Sequence, residues 1–167
     1  MTADHNEADG NTGGILSFTL PFLDVKQNAD NHVDHNDVRQ QQAEHVPRPQ
    51  RRGLCRPARD GHPLLAADRN VVDHNQVTGN DSYGIAVANY CVAVGLSAAA
   101  CAALDIEPNA DGNVIAFNRA LGNGTNPAPS LPSVFAVDLA WDLTGKGNCW
   151  DHDVAGTTFP PRLPACP

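Results

Sequence analysis

The side chains that could do chemistry in this chain recur as a pattern. Asp4-His5-Asn6, Asp34-His35-Asn36, Asp73-His74-Asn75 and Asp151-His152-Asp153 all read D-H-N or D-H-D. If successive triplets stack as neighbouring strands do, about 4.8 Å apart, then His5, His35, His74 and His152 with their carboxylates form a candidate copper or zinc site. The same position holds Phe117 in IAFNRA. A column that accepts Phe fits a surface ladder of stacked rings better than a set of ligands, and the ladder is the preferred reading.

A second set is acidic. Asp105 in ALDIE and Asp138 in AVDLA occupy similar pieces. Alternation turns Leu104, Ile106, Val137 and Leu139 inward and the two carboxylates outward on adjacent rungs. Such a pair shares a proton, holds a cation or splays into water, and splayed surface carboxylates are the preferred reading. With Glu107, and with Asp142 beside Trp141, they form the candidate site for calcium or a sugar. The basic partner that a lyase needs is missing, because Lys26 lies in a distant unit and Arg119 in the next strand. There are five cysteines. Cys91 with Cys101 would staple a loop, Cys149 with Cys166 would pin a Pro-rich tail, and Cys55 is left over. No C-x-x-C, G-x-S-x-G, H-E-x-x-H or P-loop motif is present.

The elements that position these residues are repeats. The core reads ADHNEA, VDHNDV, VDHNQV, IAFNRA and WDHDVA, with the Asn or Asp at positions 6, 36, 75, 118 and 153. Each unit holds three short β-like pieces: one after a Gly (GILSF, GIAVA), one containing an Asp (FLDVK, ALDIE, AVDLA) and one before the Asn (NHVDHN, NVVDHN, NVIAFN). No long 3.6-period stripe separates them. The chain has 15 Asn and 16 Asp but only 3 Glu and 2 Lys, which favours turns and left-handed positions over helix. Three strands per turn with Asn and Gly at the corners predict an all-β, right-handed parallel β-helix of about five coils. Stacking buries a face that no single coil can bury alone.

The stretch Asn70, Val72, Asn75, Val77, Asn80, Gly84, Ile85, Val87 resembles the repeat of the pectin-lyase-like superfamily. The resemblance spans roughly residues 2–39 and 65–160. It implies the fold and leaves function open, since the superfamily holds polysaccharide lyases, hydrolases, epimerases, a copper-site accessory protein and many members without activity. The preferred expectation is a non-catalytic secreted or surface protein with a structural or glycan-contact role. The alternatives are a remnant of a polysaccharide lyase, hydrolase or epimerase and, third, a metal-handling β-helix.

Residues 1–39 read as coils that lack an N-terminal part, 65–160 as further coils and 161–167 as a tail. Residues 40–64 break the pattern. They carry five of the nine Arg and no Asn, and the expected Gly-Ile strand before Asn70 is missing from them. Permitted codons read one base later restore Asn and a GTGIL strand, so two compensating frameshifts are the expected origin, with residues 43–60 irregular and Cys55 not native. No resident cofactor is expected, calcium apart. A net charge of −8 argues against nucleic acid. No apolar run is long enough to span a membrane, and the opening residues have no signal-peptide form. Paired cysteines imply an oxidising, extracellular or periplasmic setting for the parent protein. A polysaccharide is the candidate partner, and the first coil is an edge expected to self-associate.

Overall fold

The computed structural model describes residues 1–11, 14–24, 27–40, 61–127 and 131–167. Most of the regular structure is short strands in three five-stranded parallel sheets. The first sheet stacks Thr2–Asp4, His32–Asp34, Val71–Asp73, Val114–Ala116 and Cys149–Asp151. The second stacks Glu7–Asp9, Asp37–Arg39, Gln76–Thr78, Arg119–Leu121 and Val154–Ala155. The third stacks Ser17–Phe18, His62–Leu65, Ile85–Ala88, Leu139–Trp141 and Thr158–Phe159. Successive visits to one sheet pair in sequence order, as the turns of a parallel solenoid do. A fourth strip pairs Asn28–Ala29 with Ala67–Asp68.

The coils have the expected three strands, but one of the three falls on other residues. The second-sheet strand directly follows the ladder Asn, as in Asp37–Arg39 and Gln76–Thr78. FLDVK and ALDIE are not strands at their described residues, and in AVDLA only the last residues enter one, Leu139–Trp141. The physical reason lies at the corner: the αL residue before each Asn turns the chain by itself, so a new strand starts at once.

The stretch expected to be irregular also yields a strand. His62–Leu65 pairs with Ile85–Ala88 on one side and Ser17–Phe18 on the other. Gly61 gives it the missing glycine start. A Cβ there would collide with the Gly84 carbonyl, just as one on Gly84 would collide with the carbonyl of Asp138. Residues 43–60, Cys55 and Lys26, on which other expectations rested, lie outside the described residues.

The core is a set of inward columns one side chain deep. Val33, Val72, Ile115 and Trp150 stack in the first sheet, and Val38, Val77 and Ala120 in the second. Leu64, Ile85, Val87 and Leu139 close the third side. Val72, Val77 and Ile115 have no exposed surface, and each contributes about 1.5–3 kcal/mol by leaving water.

An excursion leaves the third sheet after Ala88 and carries helices Tyr90–Ala93 and Ala98–Ala102. Asn89 and Ser97 cap them, and the Cys91–Cys101 disulfide joins them. The second expected disulfide, Cys149–Cys166, holds the tail against the last coil, where Trp150 bridges to Ala165.

Candidate functional site

The corners hold most of the buried polar side chains and follow one rule. A residue with φ between 50° and 70° precedes the ladder Asn: His5, His35, His74 and Phe117 at one corner, Asp30, Arg69, Gly112 and Gly147 at another, Gly79 and Gly122 at the third. Three ladders result: Asn31-Asn70-Asn113-Asn148, Asn6-Asn36-Asn75-Asn118-Asp153, and Asn80-Asn123-Asp138. In every rung but the last of each ladder the backbone N–H and the side-chain Nδ2 both donate to the Oδ1 of the next coil, at 2.8–3.0 Å. The second Nδ2 hydrogen reaches back to a carbonyl: Asn36 to Ala3, Asn75 to Val33, Asn118 to Val72, Asn113 to Ala67, Asn123 to Val77 and Asn148 to Ala110. An internal rung thus uses both amide hydrogens and both lone pairs of the carbonyl oxygen, which is why Asn can be buried there at no more than 6 % exposure.

Asp138 belongs to this system and not to an outward pair with Asp105, which corrects the expectation from the sequence. Asp138 is 2 % exposed. Its Oδ1 accepts from the N and Nδ2 of Asn123, and its Oδ2 accepts from Gly156 N, Thr157 N and Thr157 Oγ1. Asp105 lies in the excursion, where it accepts from Phe22 N at 2.8 Å. ALDIE and AVDLA look alike, but one follows a helix and the other starts a strand, so their carboxylates never share a face.

The remaining acidic candidates buttress the excursion. Asp142 Oδ2 accepts from Asn89 N, while its Oδ1 accepts from Thr144 N and Oγ1. Asn89 donates to Asn109, and Asn109 donates from both its N and Nδ2 to Glu107. Asp142 and Glu107 are therefore linked through the residue that caps the first helix. Trp141 donates its indole N–H to the Thr144 carbonyl.

The histidines do form a column. Neighbouring centroids in the column His5, His35, His74, Phe117 and His152 are 4.9–5.1 Å apart and neighbouring planes lie within 12°. Nδ1 of each His lies 2.8–3.3 Å from the preceding Asp carboxylate: Asp4, Asp34, Asp73 and Asp151. Ring lone pairs lie in the ring plane, so parallel stacked imidazoles aim their free Nε2 atoms side by side instead of at one point. Among the described residues no group of three or more His, Cys, Asp or Glu is placed to hold a metal ion.

Two chemically unusual groups carry little or no mark in the sequence. His62 is fully buried with Nε2 unpartnered, and burial holds its pKa down to about 4, against a small opposing effect of the Ile15 backbone. Its only signal is its place directly after Gly61, where the aligned positions 85 and 139 carry Ile and Leu. Asp153 is visible as a ladder position, and the change from Asn to Asp there is the available signal.

A polar cleft of about 260 Å³ is lined by Thr19, Gln27, Ala66, Asp68 and Glu107. Asp68 is occupied at its Oδ1 by the Asp111 N–H. The chain matches no protein family, no curated protein and no solved structure. Among the described residues no helix is long and apolar enough to cross a membrane.

Proposed function

We propose that this chain is a non-catalytic, right-handed parallel β-helix with a structural role, secreted or displayed at a surface. The observation that carries the reading is the use made of the reactive side chains. Asp138 terminates a ladder with five hydrogen bonds, Asp142 and Glu107 brace the excursion, and four histidines stack on a corner with their carboxylates. Each is tied through its carboxylate or its Nδ1 to neighbours in its own chain. Chain physics supports the handedness, since parallel strands of one sheet are joined by right-handed crossovers in about 98 % of cases. Two disulfides support an oxidising compartment. The likeness of the repeat to the pectin-lyase-like superfamily agrees with this reading.

Contact with a glycan is a second reading, favoured by the polar cleft between Thr19 and Glu107. A glycan array probed with and without calcium, together with product release from uronate and neutral polysaccharides, tests both. No product and no calcium-dependent binding supports the structural reading. Binding lost in Glu107→Ala supports the glycan reading, and turnover overturns the non-catalytic claim.

A further inference from the structure

Two of the three ladders end on aspartate, and the two ends differ. An internal Asn sends one Nδ2 hydrogen onward to the next Oδ1 and one back to a carbonyl. The last rung has no next Oδ1, so replacing the amide by a carboxyl removes a hydrogen that would have no acceptor. It also removes the backward donor and puts an acceptor in its place.

At Asp138 the following turn compensates, with Gly156 N, Thr157 N and Thr157 Oγ1 donating to Oδ2 at 3.0 Å. At Asp153 nothing does. Its Oδ1 accepts from Asn118 N and Nδ2 at 2.8 and 3.0 Å, as a ladder residue should, but its Oδ2 is buried without any hydrogen-bond partner. The repeat register identifies the group that belongs beside that oxygen. Asn36, Asn75 and Asn118 send their backward hydrogen to the carbonyls of Ala3, Val33 and Val72. These residues are aligned with Ile115 in the first sheet, so the equivalent acceptor for position 153 is the Ile115 carbonyl. An ionised Oδ2 there sets two acceptors against each other, whereas a protonated one donates.

We propose that Asp153 is a proton-binding end rung. As a neutral acid, its Oδ2–H completes the ladder toward the Ile115 carbonyl; when it gives that proton to water, the last coil loosens from the coil beneath it.

The surroundings favour the neutral acid. Leu139, Trp150, Ala155, Thr158, Pro161 and Leu163, with Asp151 and His152, line the space of about 270 Å³ beside Asp153. Among the charged groups on the elements packed against it, Asp151 and His152 share its turn, Arg119 follows Asn118 in the coil beneath, and Arg162 lies on the tail. His152 is already held by Asp151 at 2.8 Å. Burial pushes the Asp153 carboxyl above the usual carboxylate range, the Asn118 bonds oppose this, and the Asp151 charge adds to the rise. A raised acid pKa in the folded state gives stability that is complete below the unfolded value and lost as pH rises through the folded value. The last coil therefore tightens in mild acid.

The test is native-state hydrogen exchange of residues 149–159 across a pH series, corrected for intrinsic rates, in the wild type, Asp153→Asn and Asp138→Asn. The wild type should gain protection on acidification, by up to about tenfold per pH unit within the titration window. Asp153→Asn restores the backward donor, so it should be more protected at neutral pH and lose the pH dependence. Asp138→Asn should lose protection and keep the pH dependence. A carbon-13 titration of the Asp153 carboxyl in the wild type provides an independent readout. An ordinary carboxylate midpoint, or an unchanged pH dependence in Asp153→Asn, overturns the proposal.

Discussion

Replacing Asn75 by Ala isolates what one ladder rung contributes. Asn75 is the middle rung of the longest ladder and is 4 % exposed. Its Oδ1 accepts from the N and Nδ2 of Asn36, both at 2.9 Å. Its Nδ2 donates to Asn118 Oδ1 at 3.0 Å and to the Val33 carbonyl at 2.9 Å. Truncation leaves the Asn36 N–H and one Asn36 amide hydrogen buried without their acceptor, while the Val33 carbonyl loses one donor and keeps its place in the sheet ladder. The Asn118 oxygen keeps the Asn75 backbone N–H. A buried group left unsatisfied costs about 1–3 kcal/mol, so two such groups put the loss at about 2–5 kcal/mol after some relaxation. That is a large share of the stability of about 5–15 kcal/mol expected of a domain. Urea denaturation followed by tryptophan fluorescence measures it, with exchange rates at 33–38 and 116–120 reporting where the damage lies. Asn75→Asp keeps both acceptor contacts but loses both donors, so it should also be destabilised at neutral pH and recover in part in acid. A loss below about 1 kcal/mol in Asn75→Ala would refute the reasoning, because the rung would then be decorative.

Three further outcomes are expected. His62 is neutral in the fold at about pKa 4 against an ordinary 6.5, so stability is complete above 6.5 and falls by about 3 kcal/mol as pH drops toward 4; His62→Ile, matching Ile85 in register, should flatten that fall in denaturation midpoints. Reduction of Cys149–Cys166, 17 residues apart, should free the tail to proteolysis and cost about 3 kcal/mol, while the coils from 71 to 121 keep their exchange protection. Zinc or copper should leave Tm unchanged because the stacked imidazoles do not converge, and a rise that vanishes in His35→Gln would show that they do.

The corners are legible in the amino-acid sequence because their requirements are narrow. A residue able to adopt φ near 55° followed by Asn appears as H-N, G-N, D-N and R-N, and these pairs mark where each coil turns. Both disulfides among the described residues follow from their place at a loop and at a tail. What stays hidden has physical causes too. His62 and Pro63 disguise a strand, yet Pro63 costs little there. The His62 N–H donates to Gly84 and the Ala66 N–H to Ala88, so alternation turns the Pro63 nitrogen toward the first coil. That coil's strand begins only at Ser17, opposite Leu64. Asp138 is misleading in sequence because its neighbours Val137 and Leu139 alternate with it like a strand carrying an outward acid. The residue is a corner, and a corner carboxylate can point inward when the next turn supplies donors.

The claim at the centre of this account is that the acidic side chains hold the coils together and do not serve a ligand. Asp138→Ala tests it most directly, with thermal unfolding and calcium-dependent binding to a polysaccharide panel measured on the same wild-type and variant samples. The expected result is a Tm lower by several degrees, from about 3 kcal/mol or more of lost buried hydrogen bonds, and no calcium-dependent binding in either protein. Binding in the wild type that disappears in Asp138→Ala at unchanged Tm would contradict it.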